Sequence, residues 1–286
     1  MKQTSEILSA PNPKNIDSFP NVTPDQEVNE KRDKKNSASQ NVCPDPFAQG
    51  INSMFGRIAN SYDFLNHALS LGVDLYWRKV LVNELLKDFD LDKKDTLKVL
   101  DLATGTFDVA LSLYRNTLKY QSLKLNIAAI DLCTPMLIAG KNKLLKNKAE
   151  SKIFPLTANG VSLPLADNSM DLACVSFGIR NISPREASLE EFFRVLKPGG
   201  KLCILEFGSA KKPIWGGFYN FYLNKILPKV GAIVSGDKTA YQYLAESIKA
   251  FPLADELKSE ISKANFKQVK YRSLNAGIVY LHSAYK

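Results

Sequence analysis

The run Val99 to Asp108, V-L-D-L-A-T-G-T-F-D, constrains this chain more than any other stretch. An apolar segment suited to a buried strand gives way to small residues flanked by the carboxylates of Asp101 and Asp108, and helical periodicity follows. Ala103, Gly105 and Thr106 let backbone come close to a ligand. A helix starting near Thr106 or Phe107 then presents its unpaired N–H groups to that ligand. About thirty residues on, the run Asn126 to Asp131 reads as a second buried strand ending in an acid, where a carboxylate accepts both hydroxyls of a ribose. The pair of motifs points to an adenosine-containing ligand; alone, the first also suits an ordinary strand-to-helix turn.

What the turn lacks narrows the ligand. The three-glycine spacing of a dinucleotide fingerprint is absent, with Phe107 where the last small residue would stand, and there is no Gly-Lys-Ser/Thr of a phosphate loop. Carboxylates beside the loop repel phosphates but suit a ligand carrying an amino group and a positive sulfonium, such as S-adenosylmethionine.

From about residue 96, apolar runs alternate with helical patterns. Strands are expected near 97–103, 125–131, 152–157, 170–177, 200–207, 266–273 and 276–284, an α/β doubly wound, Rossmann-like seven-stranded sheet. The last two strands are close enough for a hairpin, so the final one is expected to be antiparallel. The helix Glu186 to Leu196 is expected to stop at Lys197-Pro198-Gly199-Gly200 before a strand from Lys201 to Phe207. Residues 1–45, rich in Pro, Asn, Ser and Lys, read as a disordered polar tail, and 46–286 as a single domain with a helical cap over 46–95.

Of 286 residues, 45% are apolar, ample for a core, and the formal net charge is +9. Residues 1–40 hold six basic and six acidic side chains, so the whole excess falls on the folded part. Its lysines are scattered, without an arginine cluster or an RNA-binding signature, which argues against nucleic acid. Cys43, Cys133, Cys174 and Cys203 show no Cys-x-x-Cys spacing and only two histidines are present, so reduced thiols in a cytoplasmic protein without a metal are expected. No apolar run is long enough to span a membrane.

With these motifs and the joint R-V-L-K-P-G-G-K-L in place, the chain resembles class I S-adenosylmethionine-dependent methyltransferases. Y-D-F-L-N-H-A-L-S-L-G-V-D-L-Y-W-R-K (62–79), S-F-G-I-R-N (176–181), G-D-K-T-A-Y-Q-Y-L-A-E-S-I (236–248) and N-A-G-I-V-Y-L-H-S-A-Y-K (275–286) narrow this. Together they are similar to the C-methyltransferases that act on demethylmenaquinol or 2-methoxy-6-polyprenyl-1,4-benzoquinol. The resemblance covers about 51–286 and implies cofactor contacts at Thr106, Asp131, Asn159 with Gly160, and Ser176, beside Asp101 and Gly105 of the turn itself. Thr104 and Phe107 replace two glycines of the family's usual turn. A bulky residue thus stands at the helix entry, where a negative φ suits it, its ring packing toward the sheet or beneath the methionine moiety.

Transfer to carbon needs an electron-rich ring, which a hydroquinol supplies once a hydroxyl is wholly or partly deprotonated. Arg180 is the leading candidate to face that ring and stabilise phenolate character. Asn181 would orient the ring or Arg180, while Asp237, Tyr62 and Tyr241 are possible proton partners. The apolar stretch Pro213 to Leu227, within a segment 208–250, suits a lid or a groove for a prenyl tail. With the basic charge it suggests contact with an anionic membrane on its inner face without spanning it. A homo-oligomer is possible. Other readings are a methyltransferase for another apolar acceptor, a catalytically silent scaffold in a quinone-biosynthesis assembly, for which Phe107 is the best support, and, weakest, a nicotinamide dehydrogenase.

Overall fold

In this computed structural model the described residues are 46–59, 62, 63, 67, 70, 72–208 and 238–286. The expected tail, and 209–237 of the expected lid, lie outside them.

Two helices, α1 (Pro46–Ile58) and α2 (Val73–Leu86), precede the sheet. Strand β1 (Thr96–Leu102) leads into α3 (Asp108–Thr117), β2 (Lys124–Asp131) into α4 (Thr134–Asn147), and then β3 (Ile153–Thr157) follows. The chain returns through β4 (Met170–Ser176), α5 (Arg185–Val195) and β5 (Leu196–Phe207). It ends with α6 (Lys238–Ala250), α7 (Ala254–Lys263), β6 (Lys267–Leu274) and β7 (Val279–Tyr285). The seven strands form one sheet in the order β3-β2-β1-β4-β5-β7-β6. Strands β1 to β5 pair in parallel, and β7 runs antiparallel to both β5 and β6. This is the doubly wound Rossmann-like sheet, antiparallel at its last strand, that the alternation of motifs predicts.

Helices cover the sheet, so its central strands are nearly continuous apolar runs. In β1, Leu97, Val99, Leu100 and Leu102 are buried, and in β4 every residue from Met170 to Val175 is. Helix α3 supplies Val109, Ala110, Leu113 and Thr117, a spacing that keeps one face inward. Connections from β1 run outward through β2 to β3, whereas those from β4 run the other way to β5, so the strand order reverses between β1 and β4. In open α/β sheets the carboxyl ends at such a reversal form the ligand crevice.

Three local expectations are corrected. Helix α3 begins at Asp108, one or two residues late, because Phe107 at its entry adopts a positive φ of 71°. That conformation costs a non-glycine residue about 1–2 kcal/mol. Full burial of the phenyl ring, worth roughly 2–3 kcal/mol, offsets it. The ring lies in the main core, and Gly140 of α4 makes room, since a Cβ there would come within 2.6 Å of Phe107 Cδ2. The break at Lys197–Gly200 is the second case. Met170 pairs with Leu196 and Leu172 with Lys201, so these four residues bulge from a strand that already starts at Leu196. Gly199, at φ 76°, gives its N–H to the Lys286 carbonyl at 3.0 Å. The last strand also starts late, at Val279, because Asn275 and Ala276 turn in the left-handed region between β6 and β7.

Candidate active site

The carboxyl ends of β1 and β4 carry three left-handed residues, Ala103 (φ 53°), Gly105 (φ 58°) and Phe177 (φ 56°). Such conformations persist only where surrounding packing imposes them, and they gather at ligand sites. A Cβ on Gly178 would lie 2.4 Å from Ala103 Cβ, so the two strand ends approach as closely as glycine allows.

Asp101 is buried beneath this turn. It accepts the Thr104 hydroxyl at 2.6 Å and the Cys174 thiol at 3.5 Å. Burial pushes its pKa up to about 6 against the pull of these two bonds. It braces the turn from within the sheet. Asp131, at the end of β2, accepts the Gly105 N–H at 2.8 Å on one oxygen and the Cys133 N–H at 2.8 Å on the other. Burial raises its pKa while these donors hold the charge. Each oxygen keeps a lone pair for a further donor.

Thr106 is spoken for: its hydroxyl donates to Asp63 at 2.5 Å and accepts from the Lys143 ammonium at 3.0 Å. Lys143 also pairs with Asp63 at 2.5 Å and Asp108 at 2.6 Å, so α4 and residue 63 tie the turn down together. Tyr62 and Met136 bound the space beside Gly105, and Tyr62 packs edge-on against Phe55 at 5.9 Å. Asn159 is exposed after β3, its side-chain oxygen accepting the Val161 N–H at 3.2 Å. Gly160 is buried against Ile182 and Leu102, where a Cβ would press on their methyl ends at 3.0 and 3.1 Å. Ser176 Oγ is buried with no partner among the described residues.

Beyond β4, Arg180 is almost wholly buried. Its Nη1 donates to the Phe177 carbonyl at 2.5 Å and to Glu206 at 2.8 Å, and its guanidinium lies over Phe207 at 5.6 Å. Its Nε has no partner among the described residues. Asn181 Oδ1 accepts the hydroxyl of Tyr243 at 2.9 Å. Arg180 also lines an open cleft of about 340 Å³ with Ile182, Ser183, Pro184, Arg185 and Glu186. Asp237 and the side chain of Tyr241 lie outside the described residues.

Sequence reasoning missed Glu206, Tyr243, Asp63 and Lys143, as well as an aromatic cluster of Trp77, Phe177 and Phe207, the last two 4.6 Å apart. Glu206 had a signal: a lone acid in the apolar run L-C-I-L-E-F is costly to bury unless a cation meets it.

The sequence signature of the ubiE/COQ5 methyltransferase family matches residues 45–286, the whole of the described fold. The chain belongs to this family. A ubiquinone/menaquinone biosynthesis C-methyltransferase UbiE from Syntrophotalea carbinolica is 41% identical over 235 residues, covering 82% of this chain and 93% of its own. Its namesake from Haemophilus ducreyi is 39% identical over 248 residues, or 86% and 91% of the two chains. Solved structures share the fold at lower identity. The [4+2]-cyclase SpnF superposes with a TM-score of 0.58 at 14% identity, covering 84% of this chain and 96% of its own. A Thermotoga maritima S-adenosylmethionine-dependent methyltransferase, a possible histamine N-methyltransferase, gives 0.52 at 17%, covering 82% and 99%. That a cyclase shares this fold shows why the family, and not the fold, carries the enzyme class. As a ubiE/COQ5 member, the chain is an S-adenosylmethionine-dependent C-methyltransferase. Among the described residues no helix is long and apolar enough to cross a membrane.

Proposed function

We propose that this enzyme methylates a ring carbon of a prenylated hydroquinol, with demethylmenaquinol the favoured acceptor and the benzoquinol of the ubiquinone branch the second. The observation that carries this reading is Arg180, a buried cation whose Nε has no partner among the described residues and whose guanidinium lies over the Phe207 ring with Nη1 on the Phe177 carbonyl. An aromatic acceptor whose oxygen gains negative charge needs such a donor next to apolar walls.

The residues at the β1 and β4 ends fit S-adenosylmethionine. Ser176 Oγ is an orphaned buried hydroxyl, Asp131 is fixed by two backbone donors with acceptor capacity left, and Ala103, Gly105 and Gly178 bring backbone close without bulk. Asp131 would hold the ribose, Asn159 and Gly160 the adenine, and Ser176 and the turn around Gly105 the methionine end. When bound, the sulfonium supplies an electrophilic methyl group. Asp63, Lys143 and Asp108 hold the turn through Thr106, so they set the geometry on which alignment depends; good alignment contributes up to roughly 7–11 kcal/mol. Arg180 stabilises the phenolate, and Asn181, steadied by Tyr243, orients ring or guanidinium.

Phe107 no longer favours a silent scaffold, because its ring is fully buried in the core rather than in the crevice. The basic surface and the segment 208–250 support a transient contact with anionic membrane. The test is calorimetric titration with S-adenosylhomocysteine, followed by assay of the reduced, prenylated naphthoquinol and benzoquinol with labelled methyl donor. Micromolar binding and label on ring carbon are expected. Asp131→Ala should abolish binding without unfolding the protein. Binding without transfer to either quinol overturns the acceptor assignment.

A further inference from the structure

We propose that Glu206 is a positioning residue for methyl transfer, holding the Arg180 guanidinium so that its free edge is presented to the acceptor. The inference rests on the reading of Arg180 given above and adds a residue that acts through it.

Glu206 closes β5, and Arg180 follows β4, the neighbouring parallel strand. Only 1% of the Glu206 side chain is exposed, and only 6% of Arg180. Glu206 Oε1 accepts Arg180 Nη1 at 2.8 Å and the Phe207 N–H at 2.9 Å, while Oε2 faces the Arg180 N–H at 3.5 Å. One carboxylate thus grips both the backbone and the tip of the same arginine. The Phe177 carbonyl takes Nη1 from the other side, and the Phe207 ring supports the guanidinium. These contacts fix the plane of the guanidinium, and Nε stays buried and unpaired. A buried donor on a group that cannot shed its charge is costly to leave unmade, and with none of the described residues meeting it while Arg180 lines an open cleft, a partner arriving at that cleft is its natural completion. Ser176 Oγ, also buried and unpaired, lies four residues earlier on the same strand end.

Charge balance points the same way. Without Glu206 a lone buried cation would have to be hydrated or turn outward. Burial raises the Glu206 pKa, opposed by Arg180 and the two backbone donors. The other charged or titratable groups facing it are Tyr243 from α6, Arg185 from the start of α5, and Tyr280 opposite it in β7. Protonating Glu206 would release Arg180 and cost turnover.

The full-length enzyme is tested as Glu206→Gln, Glu206→Asp, Arg180→Ala and the double variant Arg180→Ala/Glu206→Gln. Affinity for S-adenosylhomocysteine, thermal unfolding, and kcat and KM for the reduced quinol are measured across pH. For Glu206→Gln, S-adenosylhomocysteine affinity and KM are expected within about threefold of wild type, with kcat down roughly a hundredfold and the acid limb of the kcat profile gone. Glu206→Asp recovers part of kcat, and the double variant is no slower than Arg180→Ala. Glu206→Gln with wild-type kcat, or losses that multiply in the double variant, overturns the proposal. Should Glu206→Gln fail to fold, Glu206→Asp decides by the same kcat and affinity criteria. Wild-type enzyme that methylates no quinol refutes the functional reading instead, and wild-type turnover in Arg180→Ala refutes the role of Arg180, so each failure is distinct.

Discussion

Strand β5 bears two buried charged clusters, one toward its start and one at its end, and they are built on opposite terms. At Lys201 the ammonium is fully buried, and its three donors meet three acceptors: the Glu84 carbonyl at 2.6 Å, the Glu84 carboxylate at 3.1 Å and Asp88 at 2.7 Å. Tyr285 completes Asp88 with a hydroxyl at 2.5 Å. Nothing is left over. At Glu206 the partner arginine, which also lines a cleft past the end of β4, keeps a buried Nε with no partner among the described residues. The difference teaches that a saturated buried charge fastens helix to sheet, whereas an unsaturated one is what the proposed ligand role of Arg180 requires.

The largest expected effect separates the two. Arg180→Ala should lower turnover by about a thousandfold, roughly 4 kcal/mol of transition-state stabilisation, with product affinity for the cofactor site retained. Lys201→Met should instead destabilise the fold by about 2 kcal/mol, since Asp88 and Glu84 are partly exposed and can be rehydrated, and leave turnover per folded molecule unchanged. Chemical denaturation beside steady-state kinetics checks both. If Lys201→Met loses turnover at full stability, the comparison collapses.

His282 sharpens it, for it too has a buried ring nitrogen without a partner, Nδ1, yet stands in mid-strand of β7 opposite Ile204. Unlike arginine it can lose its charge, and burial lowers its pKa to about 4. Its stability contribution is therefore complete above the ordinary value of 6.5 and is lost as pH falls from 6.5 to 4, about 3 kcal/mol in all. Asp101 runs the other way. With its pKa raised from 3.8 to about 6, it favours the fold at low pH and loses about 3 kcal/mol as pH climbs through that range. The two slopes nearly cancel in the wild type between pH 4 and 6. His282→Gln, which keeps a donor for the Ala254 carbonyl, should unmask a gain in stability on acidification. Asp101→Asn should unmask a loss. Curves parallel to the wild type would mean that neither group titrates as its burial dictates.

Local chemistry made much of this legible. The turn at residues 103–107 and the acid at Asp131 are read from short runs, because strand ends and small residues are local events, and Arg180 stands directly after a recognisable strand. What escaped depends on distant partners. Glu206 reaches Arg180 across a strand pairing, so the ion pair is invisible until β4 and β5 are aligned. Tyr243 meets Asn181, a contact set by the rotation of α6 against the turn at Ile179–Asn181 rather than by composition. The left-handed φ of Phe107 is likewise unreadable from its neighbours, because its ring fits only where Gly140 leaves space.

That last pair gives the smallest effect and the cleanest coupling. Gly140→Ala would place a Cβ 2.6 Å from Phe107 Cδ2 and 2.9 Å from Thr106 Cα, so ring and cofactor turn must both yield, at a cost of about 2 kcal/mol. Phe107→Gly relieves the left-handed strain but empties the core and leaves a cavity, for a net loss of about 2 kcal/mol. Combined, the two should cost at least 1 kcal/mol less than their sum, since the alanine then occupies space the ring has left. Simple additivity in denaturant unfolding would show that Gly140 does not hold the place of the ring. With coupling present, the cofactor affinity of Phe107→Gly tells whether a bulky residue at the entry of α3 only fills the core or also stiffens the turn that Thr106 and Gly105 present.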